Sequence, residues 1–222
     1  MLRFLSLVIV AVLMMQRIPN AYGCYCDPAH PQQEFCTVDY VIKAKVREKI
    51  FIYDADNTTE MPVEVKYVLK IKKIFKQTPA FEELNDTTVA FTSSKDSLCG
   101  VDLNVNEDYL ISGNVNGGRM DLHYCSWIEK YNNPTSIQKR GVRFLYKNGC
   151  KCQVFRCFGN GCNNPAAFGV DEDHNCAWER GLPGDCYARK GICKKLGDGR
   201  CCWKRTHALK NCAPKEHSAH WC

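Results

Sequence analysis

Little in this sequence would let it act as an enzyme, cross a membrane or coat a nucleic acid. Its 222 residues contain no His-Glu-x-x-His, no Gly-x-Ser-x-Gly and no phosphate loop. Those patterns put two imidazoles on one helix face, lift a nucleophile onto a strained turn, or wrap backbone N–H groups around a phosphate. There are only six histidines, His30, His123, His174, His207, His217 and His220. Charge of one sign is also scarce: 30 Lys and Arg oppose 24 Asp and Glu, for a net +6, mixed along the chain. That argues against a dedicated nucleic-acid binder. There is no internal repeat and no low-complexity tract. The longest apolar run, Phe4 to Met15, would span roughly 18 Å as a helix, too short for a bilayer core of about 30 Å. The chain does have 45% hydrophobic and 11% aromatic residues, which excludes a disordered polymer.

Cysteine is abundant. There are 16, an even number, at a density near that of disulfide scaffolds. The N-terminus explains them. A basic start at Arg3, the apolar run, then a polar stretch ending Ala21-Tyr22-Gly23 reads as a secretory signal cleaved after Gly23. No cysteine lies within residues 1–23, so all would enter an oxidising compartment. The mature chain would begin at Cys24.

Cysteine density divides that mature chain. Residues 24–149 carry Cys24, Cys26, Cys36, Cys99 and Cys125, and residues 150–222 carry the other eleven. The front part can build an apolar core, whereas the back part must lean on cross-links. The front part reads as β. Ile42, Ala44 and Val46 alternate with Lys43, Lys45 and Arg47, and Val63 to Ile71 alternate with Glu64 to Lys72. Further strands are expected over 87–92, 109–115 and 120–124, the last two joined by a tight turn at Asn116-Gly117-Gly118. Five such strands in series suggest a small closed barrel. Thr135 and Gln138 form a capping-box pattern. Ile137, Gly141, Phe144 and Leu145 recur at helical spacing, so a helix near 135–146 is expected to pack on the barrel. The back part reads as loop-rich, with turn signals at Gly159-Asn160-Gly161, Asn164-Pro165, Pro183-Gly184 and Asp198-Gly199. Asn57 and Asn85 head glycosylation sequons.

Most candidate chemistry has an ordinary alternative. His217 and His220 could ligate a metal, but a solvated tail accounts for them. Cys150-Lys151-Cys152 and Cys201-Cys202 could bind soft metals if reduced, but disulfides fit a secreted chain better. Lys66, Lys70, Lys72, Lys73 and Lys76 could contact extracellular-matrix glycosaminoglycans, although a solvated strand face is the simpler reading. Cys24 is different. Freed by cleavage, its α-amine, with a pKa of about 7.7–8.0, keeps a lone pair in a useful fraction of molecules. Amine and carbonyl oxygen could then close a five-membered chelate on a metal. A disulfide on the same residue would fix an otherwise mobile terminus.

The segment Cys24-Tyr-Cys-Asp-Pro-Ala-His-Pro-Gln-Gln-Glu-Phe-Cys36 resembles the N-terminal signature of the tissue inhibitors of metalloproteinases. Asp39 to Lys45, Ser97-Leu-Cys-Gly-Val101, Tyr109 to Gly113, Cys125-Ser-Trp127, Gly149-Cys-Lys-Cys152, Cys157, Cys162, Asn175 to Trp178 and Cys193 through Trp203 continue the likeness. The resemblance implies a mainly β protein: a signal peptide over 1–23, a five-stranded OB-fold (netrin-like) inhibitory barrel with flanking helices over 24–149, and a small disulfide-rich domain over 150–222. It implies the pairs Cys24–Cys99, Cys26–Cys125, Cys36–Cys150, Cys152–Cys201, Cys157–Cys162 and Cys176–Cys193. It assigns no partner to Cys186, Cys202, Cys212 or Cys222. The implied function is secreted, non-enzymatic inhibition of zinc metalloendopeptidases, by a monomer in a one-to-one complex. The ridge Cys24, Tyr25, Cys26, Asp27 and Pro28, flanked by Ser97, Leu98 and Cys99, would fill the cleft, and Cys24 would chelate the target's zinc, so that the inhibitor needs no cofactor of its own. Tyr25 departs from the small hydroxylic residue usual at that place. A netrin-like matrix- or receptor-binding module without inhibitory activity is the alternative.

Overall fold

The computed structural model describes residues 23–27, 29–54, 61–84, 88–158, 162, 171, 173–179, 185–213 and 221–222. The expected signal segment up to Tyr22, Pro28, both sequon asparagines, His217 and His220 lie outside these.

After the ridge, helix α1 spans Pro31–Thr37. His30 caps it, its Nδ1 accepting from the Gln32 N–H at 3.1 Å, and Pro31 opens the first turn, where a missing N–H costs nothing. Strands β1 (Tyr40–Ile52), β2 (Glu64–Gln77), β3 (Val89–Ser93), β4 (Asp108–Asn116) and β5 (Arg119–Asp121) follow. They pair in the order β1-β2-β3-β5-β4, and β4 returns to β1, which closes the barrel. The period of two in β1 does what it predicts: Ile42, Ala44 and Val46 are fully buried, and the lysines between them face outward. Together with Tyr40, Tyr67, Leu69, Ile111 and Met120 they fill the barrel. The β4–β5 connection is a two-residue turn in which Gly117 and Gly118 take φ of +56° and +73°, values that a side chain would strain.

The structure departs from the expected elements in four ways. Val63 lies outside β2 and is exposed, and register shifts near Val41, Lys43 and Val46 break the alternation beyond Leu69. A sixth strand, β6 (Ile128–Lys130), adds to β4. A short helix, α2 (Pro79–Glu82), follows β2, and the helix expected near 135–146 is divided into α3 (Ser136–Arg140), a π-turn (Gly141–Leu145) and α4 (Tyr146–Gly149). Thr135 and Gln138 form the reciprocal capping box. A Cβ on Gly141 would lie 2.4 Å from the Tyr146 ring, so that ring folds back over the bare backbone. The wider π-turn shifts the inward position to Tyr146 and leaves Phe144 exposed.

Finally, the back part is more regular than its turn signals suggest. Strands β7 (Gln153–Cys157) and β8 (Asn175–Glu179) form a parallel ribbon. Helix α5 (Cys186–Lys190) is followed by the antiparallel hairpin β9 (Cys193–Lys195) and β10 (Cys201–Trp203), and by α6 (His207–Lys210). The β9–β10 turn contains Asp198-Gly199, with Gly199 at φ +97°; the other three turn signals lie outside the described residues. Trp178, Tyr187, Trp203 and Leu209 form its core with several cystines. A third cluster, Phe35, Val38, Val41, Leu110, Val142, Tyr146 and Ile192, draws on both parts of the chain.

Candidate functional site: a disulfide-pinned ridge

Residues 23–27 run without regular structure along the outside of the barrel. Two disulfides tie them down. Cys24 joins Cys99 with Cα atoms 5.0 Å apart, and Cys26 joins Cys125 at 5.2 Å. The side chains therefore alternate. Cys24 and Cys26 turn inward, while Tyr25, 85% exposed, and Asp27 turn out. The first bond closes a separation of 75 residues and is worth roughly 4 kcal/mol in the chain-entropy model. Its local effect is to hold an otherwise free peptide at the barrel's rim.

The neighbouring strip is the 3₁₀ turn Asp96–Leu98, which exposes Ser97 and Leu98 beside the ridge. Its shape has local causes. The Lys95 carbonyl accepts from both Leu98 N–H (3.0 Å) and Gly100 N–H (3.1 Å), and Cys99 takes a left-handed φ of 59°. A Cβ on Gly100 would meet the Ser93 carbonyl oxygen at 2.2 Å, so only glycine lets the turn close on β3. Beyond it, Tyr67 Oη donates to Val101 O (2.9 Å) and accepts from Leu103 N–H (3.0 Å). The Cys99 carbonyl accepts from Tyr124 N–H at 2.9 Å. A cavity of about 470 Å³ lies against Cys24, walled by Asp96, Val101, Leu103, Tyr109 and Tyr124.

The sulfurs of Cys24, Cys26 and Cys125 lie within 4.8 Å of one another, as do the ligand atoms of Cys99, His123 and Cys125. Their sulfurs are consumed in S–S bonds, so this grouping records the crossing of two disulfides. The other bonds are Cys36–Cys150, Cys152–Cys201, Cys157–Cys162, Cys176–Cys193, Cys186–Cys212 and Cys202–Cys222. The last two occupy the four cysteines for which the sequence offered no partner. Cys150, Cys152, Cys201 and Cys202, weighed above as soft-metal ligands, are all oxidised.

The lysine patch is partly neutralised. Lys72 donates to Asp108 at 2.6 Å, and Lys43 reaches the same carboxylate at 3.4 Å. The hydrogen bond from Lys72 holds the Asp108 carboxyl below its usual range against a smaller effect of burial. Lys76 donates to the Cys36 carbonyl at 2.9 Å.

His30 escaped functional notice in the sequence. It is buried where the two parts of the chain meet, with ring centroids 5.4 Å from Trp178 and 5.2 Å from Trp203. Its Nε2 donates to the Tyr187 carbonyl at 2.8 Å, which fixes the neutral tautomer, because Nδ1 already accepts from Gln32. Burial lowers its pKa to about 4, and the bond to Tyr187 opposes this only in part. Gln32 beside it exchanges two hydrogen bonds with the Cys193 backbone, at 2.8 and 2.9 Å.

The site is therefore a closed β-barrel with residues 24–26 clamped twice to its rim, so that an outward Tyr25 and a second exposed turn form a preformed peptide edge. Proteins of similar sequence say which family this architecture belongs to. The family described as tissue inhibitor of metalloproteinase matches residues 22–203. The chain is 31% identical to mouse metalloproteinase inhibitor 4 over 213 residues, covering 91% of each. It is 33% identical to Xenopus laevis metalloproteinase inhibitor 3 over 192 residues, covering 83% of this chain and 82% of that one. It is 29% identical to human metalloproteinase inhibitor 2 over 212 residues, covering 91% of each. The chain belongs to the tissue inhibitor of metalloproteinase family.

Proposed function

We propose that this protein is a secreted inhibitor of zinc metalloendopeptidases, and that it acts through a mature N-terminus at Cys24. The observation that carries the reading is the double clamp: Cys24 and Cys26, separated by a single residue, are each bonded to a different loop of the barrel, with Tyr25 thrust outward between them.

The chemistry follows from the terminus. While Gly23 precedes it, the Cys24 nitrogen is an amide whose lone pair is delocalised, a poor ligand. Cleavage after Gly23 turns it into an amine. That amine and the Cys24 carbonyl oxygen would chelate the target's metal and displace its water; a catalytic zinc keeps such an open position beside three protein ligands. Tyr25 would enter the adjoining specificity pocket, its apolar ring filling the walls and its hydroxyl reaching water at the far end. Cys26 to Pro28 would continue along the cleft, with Ser97 and Leu98 filling the other side. The clamps fix this shape before binding, so less ordering entropy is lost on association. Nanomolar inhibition corresponds to about 12 kcal/mol, within reach of a chelate plus a standard-sized interface.

The test is the intact mass and N-terminal sequence of the exported protein, followed by titration against a panel of zinc endopeptidases. A chain starting at an unblocked Cys24 that inhibits stoichiometrically supports the reading. A different or blocked terminus on a protein that still inhibits contradicts the chelate.

A further inference from the structure

The ridge is clamped by its own barrel only as far as Cys26. The residues just past it are held by the other part of the chain. His30 bonds to the Tyr187 carbonyl, Gln32 bonds twice to Cys193, and the Gln33 side chain accepts from Val154 N–H at 3.0 Å. Val154 lies in β7. Two residues along that strand, on the same face, stands Arg156. Its guanidinium forms an ion pair with the Asp27 carboxylate and stacks on the Phe158 ring with its centre 4.7 Å away. The Arg156 side chain is only 25% exposed, whereas that of Asp27 is 68% exposed. Its Nε is buried with no hydrogen-bond partner among the described residues.

We propose that Arg156 is a positioning residue for inhibition: reaching across from β7, it clamps Asp27 and sets the pose of the ridge after Cys26. This rests on the reading of the ridge given above. A disulfide fixes Cys26 but leaves the backbone beyond it able to swing about its own dihedrals. An always-charged planar fork, itself immobilised against an aromatic ring, removes that freedom.

The energetics favour positioning over stability. A partly exposed pair contributes little to folding. Arg156→Met should therefore leave the thermal midpoint nearly unchanged and yet weaken inhibition.

The experiment uses the full processed chain with Arg156→Met, Asp27→Asn, both together, and Arg156→Lys. It reads the inhibition constant against a zinc endopeptidase, and hydrogen exchange at the Tyr25, Cys26 and Asp27 amides in the free protein. Each single change is expected to weaken inhibition by about three- to ten-fold, and the double variant to be no worse than the weaker single one, since both break one contact. Arg156→Lys, which keeps the charge but loses the planar fork and its stacking on Phe158, should recover only part of the loss. Ridge amides should exchange faster in Arg156→Met. Additive losses in the double variant, or unchanged ridge exchange, would overturn the proposal. If the parent protein inhibits no zinc endopeptidase, the functional reading falls, and exchange alone still decides whether Arg156 orders the ridge.

Discussion

His30 makes a quantitative prediction about acid. In the folded protein its pKa is lowered from 6.5 to about 4, because burial between Trp178 and Trp203 removes water from the imidazolium and both ring nitrogens are already committed. Protonating Nδ1 would aim a proton at the Gln32 N–H it now accepts from. In the unfolded chain the ring titrates near its ordinary value. Between those two values the unfolded state binds a proton that the folded state does not, so stability must rise with pH across the window and fall as the solution is acidified. At about 1.4 kcal/mol per unit, the loss comes to about 2 kcal/mol between pH 7 and pH 5, and approaches about 3 kcal/mol below pH 4. Urea unfolding followed by tryptophan fluorescence measures it. His30→Asn is the reference, because asparagine retains the N-cap acceptor for α1 and cannot titrate. The parent's stability should drop by about 2 kcal/mol more than the variant's over that pH range, whatever other groups contribute to both. Parallel pH profiles would refute the reasoning, as would an imidazole that titrates near 6.5 in the folded protein.

Gln32→Ala leaves the buried Cys193 N–H and carbonyl unpaired, and should lower unfolding stability by about 2–4 kcal/mol; a loss below about 0.5 kcal/mol would mean that water replaces the amide. Gly100→Ala drives a Cβ into the Ser93 carbonyl, so the turn behind Leu98 must shift, and both the thermal midpoint and inhibition should fall together. Retention of both would show that the turn adapts. Tyr25→Thr is expected to weaken inhibition of proteinases with deep specificity pockets and to improve it for shallow ones, read as two inhibition constants; equal changes in both would remove Tyr25 as a determinant.

The barrel was legible because its signals are local. Alternation along Ile42, Ala44 and Val46, paired glycines at the β4–β5 turn and the Thr135–Gln138 box each need only a few neighbouring residues, and the structure contains all three features. Strand β6 was not legible, since three residues carry no period. The π-turn was hidden because helical spacing assumes a uniform twist, and the reason for departing from it, the Tyr146 ring lying over Gly141, is a tertiary contact. Pairing of β7 with β8, and of Asp27 with Arg156, joins residues far apart in sequence that no spacing links. At the ridge, the residue types were plain from the sequence and from the family resemblance. Neither supplied partners for Cys186, Cys202, Cys212 and Cys222, which the fold pairs by bringing α5 near the end of α6 and β10 near the chain's final residue. His30 was opaque for a related reason: a lone histidine in an N-terminal stretch does not reveal that two tryptophans from beyond residue 170 will enclose it.

The most direct measurement compares the chain that starts at Cys24 with one carrying a single alanine before it, against the same zinc endopeptidase. The extra residue turns the Cys24 nitrogen back into an amide and leaves both ridge disulfides intact. The account predicts nanomolar inhibition by the first and a loss of several hundred-fold or more, about 4 kcal/mol, in the second; equal inhibition by the two would contradict it.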